Sequence, residues 1–550
     1  MKRLLLLPAL AAAGIYLGTL DHGFVYDDLW KMQALAAGGD SCWRSALAPR
    51  GLTHLTYCLD RALWGERAFG YHLTNLLLHA LAAALAAAAA LVLTAVRAGR
   101  GEAPGASPGA GLAARREAVH HAGSRLPSRA ALLTGLLFAL HPVHVEAVAS
   151  FVNRKDVLAF LLAAAALLFW RSRRRPRLAY AASLLAVALA VWAKEVAAAA
   201  VPLALLITDL LPLAGNPPGR RPRLRRAALR FAPFAAALLL AAVLAAPRLA
   251  AAVAPEAVAA TTELRAATWT ESTALALAAV PRQVALLLLP LDLSADWSAP
   301  AARRLLHPRA LLGLLLLAAW AGAAATLVRR APVASFALAW TLLTWLPASN
   351  LLLPLTPHYL AERYLVVPSF GICLLVGWLA AKEWSAAGVG ARRRPAVAAL
   401  LAGVLLAAGW RTAVRVEDWS SAQRLWSASL AAGQDTWRVR TNLGLAHQQA
   451  GHRSAAVEHY RRALAHRPLP LEGRQTLVRN LALAGASGAA THECRRLLAE
   501  HPDDFDCHFI VAETVLRRGH REEALRHYRR ALELRPADRQ IRQRVEALQD

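Results

Sequence analysis

Apolar blocks rich in Ala and Leu recur from Leu4 to Trp410, each parted from the next by a short polar or Arg-rich segment. A bilayer core takes about 20 mostly apolar residues per helix. Blocks of that order lie at 4–20, 73–96, 130–148, 156–170, 178–193, 196–213, 230–250, 309–327, 332–347, 364–381 and 395–410. They predict about eleven spans. The run 272–290 is interrupted by Pro281-Arg282-Gln283 and reads as a re-entrant or broken segment, tolerable only where protein or a cavity surrounds it. After Trp410 the blocks stop, and 411–550 is rich in Arg, Glu and His. The pattern therefore predicts an all-α chain: a polytopic membrane domain over 1–410, a linker over 411–436 and a soluble helical domain over 437–550.

That second domain repeats. Gly451, Gly485 and Gly519 stand 34 residues apart, as do Ala456, Ala490 and Ala524, and Pro468, Pro502 and Pro536. Tyr460 and Tyr528 share a register with Cys494 between them, and Leu443-Gly444 supplies the small residue a close helix crossing needs. A 34-residue period is that of tetratricopeptide repeats, helix pairs that bury their apolar faces only against a neighbour. About three repeats are expected, with "DWSSAQRLW" at 418–426 as a possible degenerate copy inside the linker. The concave face of such a stack typically binds peptides, although it could serve only as a cap or an oligomerisation surface.

Charge orients the membrane part. Lys2-Arg3 ahead of Leu4–Leu20 looks like a signal peptide, but no small-residue cleavage site follows, so an uncleaved first helix with a cytoplasmic N-terminus is expected. The basic segments 97–129, 171–177 ("RSRRRPR"), 220–230 ("RRPRLRRAALR") and 382–394 should be cytoplasmic. The threading then gathers 21–72, 149–155, 194–195, 251–271, 291–308, 348–363 and the repeat domain on the extracytoplasmic face, of the inner membrane if the source is bacterial. A content of 57% hydrophobic residues in 550 excludes one ordinary soluble domain. The net charge of +27 lies between apolar blocks and on helix surfaces without interleaved aromatics, so nucleic acid is not an expected partner. Five Cys with no CxxC give neither a zinc nor a dithiol motif. Cys42 and Cys58 could form a disulfide or remain two thiols.

Charges at a membrane boundary are costly and usually have a task. The first outer loop carries Asp27 and Asp28 in "HGFVYDDLWKM", then "RGLTHLTYCLDRALWG" and "FGYHLTNLLLHAL". "HPVHVEAVASFVNRKDVLAF" at 141–160 holds His141, His144, Glu146, Asn153, Arg154, Lys155 and Asp156. Lys194-Glu195 separates two apolar blocks, "PLDLSADWS" contains Asp296, and "LPASNLLLPLTPHYLAERYLVVPS" contains Glu362 and Arg363. Two adjacent carboxylates repel, which raises one pKa and makes that group a better base. His141 and His144 could ligate a metal with Glu146, yet His-x-x-His on a short loop more often packs or hydrogen-bonds. No metal site is assigned, and dependence on a divalent ion stays open. Asp27–Asp28 could equally be a solvated helix end, Lys194-Glu195 a turn-stabilising ion pair, and Arg154 and Lys155 snorkelling interfacial charges.

In this order, "FVYDD", "FGYHLTNLLLHAL", "HPVHVEAVA…NRKDVLAF", "AKE", "LSADW", "LPASN…AERYLVVPS" and the terminal repeats resemble the transmembrane and TPR repeat-containing O-mannosyltransferases, which are polytopic glycosyltransferases of the C-type superfamily. The chain departs from them in reading "NRKD" where animal members often read "GRAD", "VAAAA" after "KE", and in a short repeat array. The resemblance implies a membrane glycosyltransferase with no tightly bound cofactor. It would move a sugar, such as mannose, from a polyprenyl-phosphate donor to a hydroxyl of an exported protein, with the repeats engaging the acceptor or a partner. Such transfer needs a carboxylate to take the hydroxyl proton, cations for the departing phosphate and an apolar groove for the lipid tail. By resemblance, Asp27 is the base, Asp28 its neighbour and Glu146 a second acidic group. Arg363, Arg154 and Lys155, then Lys194, are the phosphate ligands, and His141, His144, Glu362 and Asp296 are further site candidates. The competing readings are a non-enzymatic membrane-anchored TPR scaffold and a transporter or flippase. A scaffold needs one helix rather than about eleven, and a transporter would show repeated membrane halves.

Overall fold

The structure is a computed structural model that describes residues 2–37, 50–95, 112–195, 197–213, 216, 219, 221–235, 268–298, 302–351, 358–385, 393–466 and 469–549. Among these residues the regular structure is entirely helical. The chain divides into two compact units, one over 1–295 and 299–421, the other over 422–550 together with 296–298. The division falls inside the expected linker 411–436.

The first unit contains α1 (Lys2–Tyr16), α2 (Asp27–Ala37), α3 (Gly51–Trp64), α4 (Ala68–Thr94), α5 (Leu112–Ala139), α6 (Val145–Ala149), α7 (Arg154–Arg171), α8 (Pro176–Ala193), α9 (Ala197–Leu210), α10 (221–235), α11 (Trp269–Leu288), α12 (Pro308–Arg330), α13 (Pro332–Trp345), α14 (Val366–Ser385) and α15 (Arg393–Asp418). Helix α5 is packed by α1, α4 and α14. Lipid supplies no hydrophobic drive between helices, so small residues that let backbones approach decide the packing. A Cβ on Gly135 would come within 2.6 Å of Pro8 and 2.8 Å of Ala87, and one on Gly377 within 2.8 Å of the Thr134 backbone.

Among the described residues seven helices are long and apolar enough to cross a membrane, or eight if the pair Leu126–Ala139 and Pro142–Ala149, bent by 50°, forms one span. The expected blocks 196–213 and 332–347 appear as helices of 14 residues each. The block 156–170 sits in α7, which carries Arg154, Lys155 and Asp156 at one end and Arg171 at the other. Most of 230–250 lies outside the described residues, as does Cys42. The break expected at Pro281 is absent: α11 runs unbroken from Trp269 to Leu288. Its ends nevertheless lead to one loop. Near its start Ser272 pairs with the Tyr359 hydroxyl (3.4 Å), and just past its end the Ser294 N–H donates to Glu362.

The second unit contains α16 (Ala422–Ala431), α17 (Trp437–Gln449), α18 (Arg453–Ala465), α19 (Leu471–Leu483), α20 (Ser487–Glu500), α21 (Phe505–Arg517), α22 (Arg521–Leu534) and α23 (Arg539–Gln549). Gly451, Gly485 and Gly519 end the first helix of each pair with φ of +82°, +86° and +86°, a left-handed turn that glycine adopts without steric cost. Ala456, Ala490 and Ala524 are fully buried in the shared core. Cys494 and Cys507 join α20 to α21 as a disulfide. Helices α17 and α18 cross at Gly444, where a Cβ would stand 2.5 Å from Tyr460 Cε1. Gly444→Ala is expected to cost about 1–3 kcal/mol by overpacking. The readout is faster amide exchange across 437–465, and unchanged protection there would contradict the close crossing.

Candidate functional site

The site begins where α1 ends. A 3-10 turn (Leu17–Asp21) leads into extended chain, and Tyr26 adopts φ +57° before α2 opens with Asp27 and Asp28 in its first turn. A tyrosine in the left-handed region is strained by about 1–3 kcal/mol and persists only where the surroundings hold it. A helix N-terminus also favours negative charge.

The two aspartates separate. Asp28 is buried, with Oδ1 accepting from Ser150 Oγ (2.8 Å) and the Val152 N–H (3.2 Å) and Oδ2 from the Phe151 N–H (3.3 Å). It pins the chain that leads into α7. Burial pushes its pKa up to about 7 against the pull of those three donors, with a smaller upward push from Asp27. Asp27 is half-buried and accepts no hydrogen bond among the described residues. Burial raises its pKa too, while the nearby charges of Arg363 and Lys155 draw it down and Glu146 raises it.

"HPVHVEAVA" forms a 3-10 turn (Pro142–His144) and the short α6, which places Glu146 in a first turn. Glu146 is 1% exposed. Its Oε2 accepts the Arg363 backbone N–H at 2.9 Å and its Oε1 the Arg363 guanidinium. Arg363 belongs to a 3-10 turn (Glu362–Leu365) that leads into α14. Lys194 ends α8 and turns inward to the buried Asp156 in the first turn of α7. Glu195 turns the other way, and Arg50 Nε donates to both its oxygens at 2.9–3.0 Å. The Tyr364 ring links these groups, with Arg363 at 5.1 Å and Lys194 at 5.3 Å from its centroid. Lys155 donates to Val152 O and Asn153 Oδ1, both at 3.0 Å, and forms no ion pair among the described residues.

Three candidates serve elsewhere. Arg154 is 0% exposed and walled in: Nε donates to Asn75 Oδ1 (2.6 Å), Nη2 to Tyr71 O (2.9 Å), and Nη1 pairs with Asp60 (2.6 Å). It has no face for a donor phosphate. Glu362 is equally buried and faces away from Arg363, accepting from the Ser294 N–H and from Arg415 Nη2 at 3.3 Å. Asp296 falls in the second unit, where it holds Arg438 (3.0 Å) and the Thr436 hydroxyl (2.7 Å). The histidines are engaged in hydrogen bonds: His141 Nε2 lies 3.1 Å from Leu287 O and His144 Nε2 lies 2.8 Å from Ser369 Oγ. Among the described residues no three of His, Cys, Asp and Glu gather as metal ligands.

The structure therefore brings Asp27, Glu146, Lys155, Lys194 and Arg363 into one charged cluster and adds Asp156, Arg50, Glu195 and Tyr364. Arg50 stands inside the outer segment 21–72 and Asp156 at the start of the block 156–170, but spacing gives no sign of which charges pair. Arg415, which secures Glu362, lies past Trp410, where the apolar composition ends, so composition assigns it to the wrong part of the chain.

Fold and cluster define a class: a multi-pass membrane protein, entirely helical in the regular structure of its described residues, with a charged cluster where its helices begin and end, followed in sequence by helical repeats. Comparison narrows it. No protein-family model matches the chain. It is 31% identical over 164 residues to protein O-mannosyl-transferase Tmtc1 of Drosophila melanogaster, covering 26% of this chain and 15% of that one. It is 31% identical over 229 residues to protein O-mannosyl-transferase Tmtc2 of the same organism, covering 37% and 21%, and 29% identical over 129 residues to mouse protein O-mannosyl-transferase TMTC4, covering 24% and 17%. The matched stretches thus span about a fifth or less of these relatives' lengths. A solved structure, the APC/C hetero-tetramer Cut9–Hcn1, aligns over 92% of this chain and 97% of its own at 13% identity, with a TM-score of 0.23, too slight to define a fold.

Proposed function

We propose that this chain is a membrane glycosyltransferase that moves mannose from a polyprenyl-phosphate donor to a Ser or Thr hydroxyl of an exported protein. The observation that carries the reading is Asp27. It is a half-buried carboxylate that accepts no hydrogen bond among the described residues, set beside the cations Arg363 and Lys155. As Asp27 Oδ takes the acceptor's hydroxyl proton, the acceptor oxygen bonds to the anomeric carbon. The bond from that carbon to the phosphate oxygen breaks, and its electron pair leaves on the polyprenyl phosphate. Lys155, which forms no ion pair among the described residues, is our candidate to receive that charge. Arg363 and Lys194 lie next to it but are held by Glu146 and Asp156. Arg50, whose partner Glu195 is half exposed, can exchange that partner for a phosphate.

The site and the repeat unit belong on the extracytoplasmic face in this reading. The buried Cys494–Cys507 disulfide supports that side for the repeats, since disulfides persist in oxidising compartments. The repeats would engage the acceptor or a partner. The test is a reconstitution of purified protein with polyprenyl-phospho-mannose and an unfolded acceptor, read by mass spectrometry. A +hexose adduct on Ser or Thr is expected. Its absence across a panel of polyprenyl-phospho-sugars would end the transferase reading.

A further inference from the structure

One further cluster lies outside the proposed catalytic machinery, on α10. Arg221, Arg225, Arg226 and Arg230, with Pro222 and Leu229, form one open stretch of the α10 surface. These arginines sit on one continuous face of the helix, and part of the cluster is preset by buried groups. Asp209 is 0% exposed and takes Arg230 Nη1 on both oxygens, at 3.1 and 2.9 Å, with Arg226 Nη2 at 3.8 Å. Arg230 also donates to Trp170 O (2.6 Å), and its guanidinium stacks 3.7 Å from the Trp170 ring centroid. The Tyr180 hydroxyl donates to Arg230 O at 2.8 Å, tying α10 to α8. One carboxylate therefore serves two of the four guanidinium groups, and Arg221 and Arg225 form no ion pair among the described residues.

Orienting the chain requires positive charge near the ends of spans, but it requires neither a buried counter-ion nor a stacked guanidinium. The apolar neighbours indicate what completes the site. Leu229 is 67% exposed between Arg225 and Arg230, and Leu224 is 46% exposed beside Arg225. Water or a soluble anion would leave these side chains uncovered, whereas a lipid covers them with its chains while its phosphate meets the arginines. We propose that the Arg221–Arg230 face of α10 binds an anionic phospholipid, with the headgroup phosphate on Arg221, Arg225 and Arg226 and an acyl chain along Leu229. Guanidinium groups suit this ligand because they present paired N–H donors to phosphate oxygens, and clusters of Lys and Arg on a helix at the membrane surface attract anionic headgroups.

The full chain is purified in detergent, exchanged into phosphatidylglycerol or phosphatidylcholine, and retained lipid is counted by native mass spectrometry. The wild type should keep phosphatidylglycerol in clear preference. Arg221→Gln/Arg225→Gln should weaken that retention about fivefold per arginine, about 25-fold together. Both side chains are exposed, so the melting temperature should not change, which separates lost binding from lost fold. Equal retention of the two lipids, or undiminished phosphatidylglycerol on the double variant, overturns the proposal. So does displacement of the lipid by millimolar inorganic phosphate, which would make this a soluble-anion site. Leu229→Ser should loosen phosphatidylglycerol without creating any binding of inorganic phosphate, and an unchanged lipid count would remove the acyl chain from the assignment.

Discussion

Asp27→Asn should lower sugar transfer by about 10²–10⁴-fold, the range a positioned general base supplies, with little change in melting temperature. The substitution keeps size and polarity and removes only the ability to take a proton. Asp27 accepts no hydrogen bond among the described residues, so no structural contact is lost. Asp28→Asn should behave differently. Its carboxylate accepts from Ser150, Phe151 and Val152, so the change loosens the approach to α7 and appears first as lowered stability. The pH profile gives an independent reading. A base must be ionised, and burial raises the Asp27 pKa above its ordinary value of 3.8. Activity should therefore be full at neutral pH and fall on acidification through a midpoint above the usual range for aspartate. A profile flat to pH 4, or full turnover by the Asn variant, would remove Asp27 from the reaction.

This division between neighbouring carboxylates is one of four. In each charged doublet the sequence places two groups side by side, and the fold sends them apart. Asp28 turns to Ser150, Phe151 and Val152, and Asp27 stays half-buried beside Arg363 and Lys155. Arg154 is sealed against Asp60, whereas Lys155 stays half-buried beside Asn153. Glu362 turns to Arg415, and Arg363 turns to Glu146. Lys194 points in to Asp156, and Glu195 points out to Arg50. Consecutive residues on a helix project about 100° apart, so the two members of a doublet at a helix start or end meet different neighbours. The motif locates the site; deciding which member serves chemistry needs the direction of each helix axis. The 34-residue repeat was legible for the converse reason. Gly, Ala and Pro there report local turns and crossings, and these survive without knowledge of the tertiary arrangement. The apolar blocks sit between these cases. Length and composition mark α4 or α14 as membrane helices, but they do not reveal that α11 starts against Tyr359 and that the segment after it returns to Glu362.

Arg154→Met should be among the most destabilising single changes in the first unit, costing about 3–5 kcal/mol, because removing one partner strands the other in a medium that cannot solvate it. Asp60, 3% exposed, would keep only the Thr74 hydroxyl at 2.6 Å, while Asn75 Oδ1 and Tyr71 O would each lose a donor. These losses fall where α3, α4 and α7 meet, so the tether of α7 to the outer loop goes with them. The decisive comparison is the double variant Arg154→Met/Asp60→Asn. If the arginine is a structural counter-ion, removing both charges should restore much of the melting temperature, and the coupling between the two changes should be large. If Arg154 instead grips the donor phosphate, the single variant should melt like the wild type and lose donor binding alone, and Asp60→Asn should rescue nothing. The 0% exposure of Arg154 favours the first outcome, since a guanidinium enclosed by Asp60, Asn75 and the Tyr71 carbonyl has no face left for a substrate.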